Sequence, residues 1–140
     1  MQKLEHIGIA VKNLSDSIPV FEQLLNTGCY KEEEVDSESV RTAFFAVGDH
    51  KVELLESTDP DGVIARFIAK KGEGIHHIAF AVSNLEEEMK RLAEAGFILL
   101  DEKPRRGADN KLVCFLHPKN TNQVLIELCM ENPNPATGKP

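Results

Sequence analysis

Long apolar runs, pairable cysteines and surplus positive charge are all scarce in this sequence, and each scarcity removes a class of protein. No stretch approaches the roughly 20 apolar residues of a membrane-spanning helix, and Met1 is followed by "QKLE" and then directly by strand-like sequence rather than by a signal peptide. The expected location is cytoplasmic, with no membrane partner. Cys29, Cys114 and Cys129 form an odd set without C-x-x-C spacing, which argues against a disulfide framework and against a thiolate zinc site. They are expected to stay reduced. Lysines and arginines number 16 against 23 aspartates and glutamates, a formal net charge of −7. Nucleic acid is therefore not an expected partner, and any anionic ligand must be met by a local basic cluster.

What remains suffices for one packed domain, since 41% of 140 residues are hydrophobic. An internal repeat shows how it is built. "EHIGIAVKNL" near the N-terminus slides onto "HHIAFAVSNL", pairing His6 with His77, Ile7 with Ile78, Ala10 with Ala81, Val11 with Val82, Asn13 with Asn84 and Leu14 with Leu85. Successive strand side chains point to opposite faces, so each copy splits into a bulky row and a small row headed by a histidine. The small rows are His6, Gly8, Ala10 and His77, Ala79, Ala81. One histidine on such a face is usually a hydrogen-bonded core residue. Two in register read as paired site residues.

The elements repeat as well. A helix follows each copy, "NLSDSIPVFEQLLNTG" stopping at Gly28 and "SNLEEEMKRLAEAG" stopping at Gly96. In the first half "CYKEEEV" reads as an edge strand, and "SVRTAFFAVGDHKVELLES" as two strands turning at Gly48 and Asp49. In the second half "FILLDEKP" reads as extended and "KLVCFLHPKNTNQVLIELCME" as a hairpin. The expected fold is α+β: two βαβββ modules, residues 1–58 and 74–131, joined by a connecting helix within 59–73. Together they would form one open, cleft-containing mixed β-sheet half-barrel with helices outside. The apolar-poor tail, residues 132–140, is expected to fray.

Each module's last strand sets a glutamate among apolar residues, Glu53 in "KVELL" and Glu127 in "VLIELC". Alternation puts Val52 and Leu54 opposite Glu53, and Val124, Ile126 and Leu128 opposite Glu127. An ionised carboxylate is seldom buried without compensation, because desolvating it costs several kcal/mol. If the halves are related by a pseudo-twofold, His6, Glu53, His77 and Glu127 converge. Two neutral imidazoles and two carboxylates balance a divalent cation, and mixed nitrogen and oxygen donors suit cobalt, manganese, nickel, zinc or iron. Such a site suggests Lewis-acid stabilisation of an enolate. His50 and His117 read as surface residues, and His76, on the opposite face from His77, as structural.

From "LEHIGIAV" through "KVELLES", "GIHHIAFAV" and "FLHPK" to "VLIELC", the sequence resembles the vicinal oxygen chelate (glyoxalase/bleomycin resistance/dioxygenase) superfamily, and within it the methylmalonyl-CoA epimerases. The resemblance implies one divalent metal, cobalt, manganese, nickel or zinc, held by His6, Glu53, His77 and Glu127. It implies interconversion of the epimers of methylmalonyl-CoA through an enolate, a coenzyme A thioester as substrate, and a homodimer. Glu127 is the first choice for a proton carrier. Some epimerases carry an acid/base glutamate where this sequence has Thr42, whose hydroxyl is too weak an acid for that role. "KPRRGADNK" and "HPK" give a basic rim in which Arg106, Lys111 and Lys119 are expected to meet the coenzyme's phosphates. Two rival readings share the fold: isomerisation of a glutathione hemithioacetal, as in glyoxalase I, and non-catalytic binding of a small molecule.

Overall fold

The structure is a computed structural model that describes residues 1–133. Its elements follow in the order β1 (Lys3–Ala10), α1 (Leu14–Leu25), β2 (Lys31–Val35), β3 (Val40–Val47), β4 (His50–Ser57), α2 (Val63–Lys71), β5 (Gly74–Ala81), α3 (Leu85–Glu94), β6 (Arg105–Arg106), β7 (Lys111–Leu116) and β8 (Ile126–Glu131). This is the expected βαβββ order twice over, with α2 as the connector, in the α+β class. The tail expected to fray lies, from residue 134 on, outside the described residues.

The chain divides into two compact units, one of Glu5–Ile78 and one of Met1–Leu4 with the residues from Ala79 onward, so that β1 and β5 each run through both. In the unit of Glu5–Ile78 the strand order is β2-β3-β4-β1-β5. There β1 pairs parallel with β4, while β2, β3 and β4 pair antiparallel. In the other unit the order is β1-β5-β8-β7-β6, with β6, β7 and β8 antiparallel.

Asn13 and Asn84, matched in the repeat, turn out to be the N-caps of α1 and α3. Their side-chain oxygens accept from the backbone N–H groups of Asp16 and Glu87 at 3.2 and 3.1 Å, which satisfies donors that a helix start leaves without partners. The bulky rows pack as their alternation requires. Ile9, Val52, Leu54 and Phe45 join Leu14, Ile18 and Phe21 of α1 in one core. Phe80, Val82, Ile126 and Leu128 join Leu85, Met89 and Leu92 of α3 in another. With those rows turned to helices, Glu53 and Glu127 belong to the opposite strand faces.

Two expectations are corrected. The extended segment "FILLDEKP" forms only an isolated bridge, Leu99 with Leu116, and the following strand is just Arg105–Arg106. The Asp101 carboxylate accepts from the backbone N–H of Phe115 at 2.8 Å, taking a donor that a neighbouring strand would use, and Pro104 has no N–H to offer a ladder. Val124 precedes β8 and is 38% exposed, so only Ile126 and Leu128 of the expected row lie in the strand.

Candidate functional site

The parallel register of β1 and β4 sets His6 beside Lys51, Gly8 beside Glu53 and Ala10 beside Leu55. Partners in register share a face, so the small row of β1 and the glutamate of β4 lie on the same side of the sheet. His6, Glu53 and His77 are 4, 4 and 5% exposed. Gly8 supplies the room. A Cβ built there would lie 2.6 Å from Nε2 and 2.7 Å from Nδ1 of His77. The small residue is thus required by the imidazole of the other repeat. Gly8→Ala should lower stability by about 1–3 kcal/mol, the usual cost of overpacking, read by urea unfolding. An unchanged midpoint would mean the His77 ring is not confined there.

The rings of His6 and His77 meet edge to face, with their Nε2 atoms 3.1 Å apart. His6 Nδ1 lies 2.5 Å from Glu5 Oε1 and 3.2 Å from Glu53 Oε2, and Glu5 Oε2 lies 2.9 Å from Lys51 Nζ. Burial alone would raise the Glu5 carboxyl, but hydrogen bonds from His6 and Lys51, with their charges, outweigh it and hold its pKa at about 2. Ionised, Glu5 can only accept, so His6 Nδ1 carries the proton. When that ring is neutral its Nε2 is an acceptor 3.1 Å from Nε2 of His77, and a proton or a cation can bridge the two. His77 Nδ1 in turn lies 2.9 Å from His76 Nδ1, and His76 packs edge-on against Phe67 of α2.

These contacts fit a divalent cation. Two nitrogens each about 2.1 Å from one ion at a right angle are separated by about 3 Å, which the Nε2 pair matches. Histidine ligands generally donate their second N–H to a carboxylate, which fixes the tautomer, and Glu5 takes that place for His6. Glu53 Oε2 approaches His6 from the Nδ1 side, where Glu5 also stands. Glu127, the fourth expected donor, is 7% exposed on β8, with Phe115 of β7 in register. Its row continues in Cys129, clustered with Ala79 and Val113.

Sequence reasoning missed Glu5 and the contact of His76 with His77. The signal for Glu5 was its position beside His6 in "EHIGIAV", together with a lysine one strand away. Because its pKa lies below the ordinary 4.5, the Glu5 carboxylate adds stability above pH about 4.5 that is lost as pH falls toward about 2. The lost contribution is at most about 3 kcal/mol. Glu5→Gln should therefore be less stable than the parent at pH about 5, and the gap should close by pH about 2. Urea unfolding at both ends checks this, and a gap independent of pH would contradict it.

The rim residues are placed unequally. Arg106 and Lys119 are exposed, on β6 and on the turn Pro118–Asn120. Lys111 is 8% exposed on β7, and its ammonium contacts Glu131 at 2.5 Å and Asp109 at 3.9 Å. Arg105, beside Arg106, is held by Asp101 at 2.8 Å. Cys29, Cys114 and Cys129 form no disulfide. Burial, helped by the charge of Asp101, pushes the Cys114 thiol up to about 11, so it holds its proton at neutral pH. Among the described residues no helix is long and apolar enough to cross a membrane.

Residues 5–115 match the family model described as the glyoxalase/bleomycin resistance protein/dioxygenase superfamily. The chain is 40% identical over 129 residues to the uncharacterised protein YqjC of Bacillus subtilis, covering 92% of each. It is 34% identical over 128 residues to the ethylmalonyl-CoA/methylmalonyl-CoA epimerase of Cereibacter sphaeroides, covering 90% of this chain and 96% of that one. The crystal structure of methylmalonyl-CoA epimerase from Mycobacterium tuberculosis superposes with a TM-score of 0.90 at 36% identity, over 96% of this chain and 91% of that one.

Proposed function

This chain belongs to the glyoxalase/bleomycin resistance protein/dioxygenase superfamily, and we propose that it is a metal-dependent epimerase interconverting the two epimers of methylmalonyl-CoA. The observation that carries this reading is the buried pair of imidazole nitrogens, 3.1 Å apart, with carboxylates on the far side of one ring. Epimerases among its relatives support the substrate class.

His6, Glu53, His77 and Glu127 are the proposed donors. A divalent ion bound there would supply Lewis-acid stabilisation for the negative charge that develops on the thioester oxygen. The reacting carbon lies between a thioester and a carboxylate, so its C–H bond can break with the electron pair passing into the thioester carbonyl. We assign one proton transfer to the Glu127 carboxylate, which takes the hydrogen from one face or returns it there. A second carrier must serve the opposite face if the configuration is to invert. Glu5 acts only through His6, keeping the proton on Nδ1 and the Nε2 lone pair turned inward.

Arg106, Lys111 and Lys119 are the proposed contacts for the coenzyme's phosphates. Lys111 would have to exchange Glu131 for phosphate, so the two exposed cations are expected to contribute first. Cytoplasmic location is part of the same reading, with the epimerase of a bacterial relative as its support.

The test is direct. Protein loaded with cobalt and given one epimer of methylmalonyl-CoA should bring it to an equal mixture, followed by chiral chromatography, and chelation should stop the reaction. Failure to convert either epimer with any of cobalt, manganese, nickel or zinc would refute the proposal.

A further inference from the structure

The internal repeat that pairs His6 with His77 also pairs the residues before them, Glu5 with His76. The structure gives both the same place. Glu5 Oε1 meets Nδ1 of His6, and His76 Nδ1 stands 2.9 Å from Nδ1 of His77. In each repeat the Nε2 atom faces the other imidazole, and the preceding residue stands behind the ring at Nδ1. The ring of His76 is itself held edge-on by Phe67 of α2, with centroids 5.0 Å apart at 84°.

The two outer partners differ in what they can do. An ionised carboxylate only accepts, so Glu5 keeps the hydrogen of a neutral His6 on Nδ1 whatever lies at Nε2. A neutral imidazole nitrogen donates or accepts according to its tautomer. That freedom matters at His77. Where a hydrogen bridges the two Nε2 atoms, His6 cannot supply it, so His77 carries it on Nε2, its Nδ1 is an acceptor, and His76 must donate. Where a cation bridges them instead, the ion takes the Nε2 lone pair of His77, the hydrogen sits on Nδ1, and His76 must accept. A glutamate at position 76 could serve only the second form, and a lysine only the first.

We propose that His76 is a positioning residue acting through His77: it donates to Nδ1 when a hydrogen bridges the imidazoles, accepts from Nδ1 when a cation does, and so sets how tightly the site holds its metal. This rests on the metal-site part of the reading above. The exchange balances at constant charge. His77 gives its Nε2 hydrogen to solvent and takes one at Nδ1 from His76, which regains one from solvent at its own Nε2. His76 is half-buried while His77 is buried, so the outer ring is the better placed of the two to exchange with water. Phe67 keeps that ring in one pose, and only its hydrogens need move.

His76→Phe keeps a ring against Phe67 and loses both nitrogens. His76→Asn loses the ring, but its amide can present either a donor or an acceptor near the position of Nδ1. Full-length proteins are titrated with zinc alone by calorimetry, and thermal unfolding is followed without metal. Long-range proton–nitrogen NMR spectra record which ring nitrogens of His76 and His77 carry hydrogen before and after zinc. His76→Phe should match the parent's metal-free unfolding midpoint and bind zinc at least about tenfold more weakly, the usual loss for an outer partner of a histidine ligand. His76→Asn should recover most of that affinity, even with a lower midpoint. In the parent, zinc should move the His76 hydrogen from Nδ1 to Nε2 and the His77 hydrogen from Nε2 to Nδ1. Zinc affinity of His76→Phe equal to the parent's would overturn the proposal, as would equal weakening in both variants, which would mark the ring as packing alone. A His76 that keeps one tautomer throughout would overturn it too. If the parent bound no zinc, the metal reading would fail and this one with it. A parent that binds zinc and epimerises methylmalonyl-CoA beside an unaffected His76→Phe would sink the His76 proposal alone.

Discussion

Glu127→Gln, saturated with metal, is expected to lose at least about a hundredfold in epimerisation while still binding coenzyme A thioesters. The substitution keeps an oxygen donor and nearly the same shape on β8, so a residue serving only as a ligand should tolerate it well. It removes the ionisable group, and general acid/base groups contribute about 10² to 10⁴-fold. Exchange of the α proton with solvent should be followed beside net inversion. With one carrier lost, exchange from one epimer should outpace inversion. Turnover near the parent's in both directions would leave Glu127 a ligand only, and both carriers would then be sought elsewhere in the site.

The second large effect concerns the two histidines. Replacing a single outer partner of a metal ligand costs about 10–100-fold in metal affinity. Removing two direct donors should cost more, so the His6→Ala, His77→Ala double variant should bind cobalt more than about a hundredfold more weakly than the parent. Each single variant should fall between them. Isothermal titration with cobalt and elemental analysis of the purified proteins check this. Full metal occupancy in the double variant would show that the ion sits elsewhere.

The strand faces were legible because alternation has a period of two wherever one side is packed. Leu54 under α1 fixes Glu53 on the other side, and Leu128 under α3 does the same for Glu127. The pairing of Asn13 with Asn84 in the repeat was legible too, and each caps the helix that follows it. Glu5 was not, since the same alternation sends it away from His6. The rule fixes where Cβ points, and the glutamate side chain is long enough to bring its carboxylate to the ring of its neighbour. His76 escaped for a like reason, its ring nitrogen lying within 2.9 Å of His77.

Lys111 shows a different limit. In sequence it belongs to a run of basic residues and looks like part of a solvated rim. In the structure it opens β7 with Glu131 in register, and the ion pair becomes visible only once that register is known. The short β6 is similar, because nothing local marks Asp101 as the acceptor for Phe115. Contacts set by strand pairing over such separations are the part of a fold that patterns along the chain carry least.

The most direct test of the central claim, enolate chemistry at the carbon between thioester and carboxylate, is proton NMR in deuterium oxide with the cobalt-free protein reloaded with zinc, a diamagnetic ion. Methylmalonyl-CoA and the glutathione hemithioacetal of methylglyoxal are supplied in separate samples. The account predicts that the α-proton signal of methylmalonyl-CoA disappears at a rate set by the protein, that chelation abolishes the loss, and that no lactoylglutathione forms in the other sample. Turnover of the hemithioacetal beside an undisturbed methylmalonyl signal would contradict it.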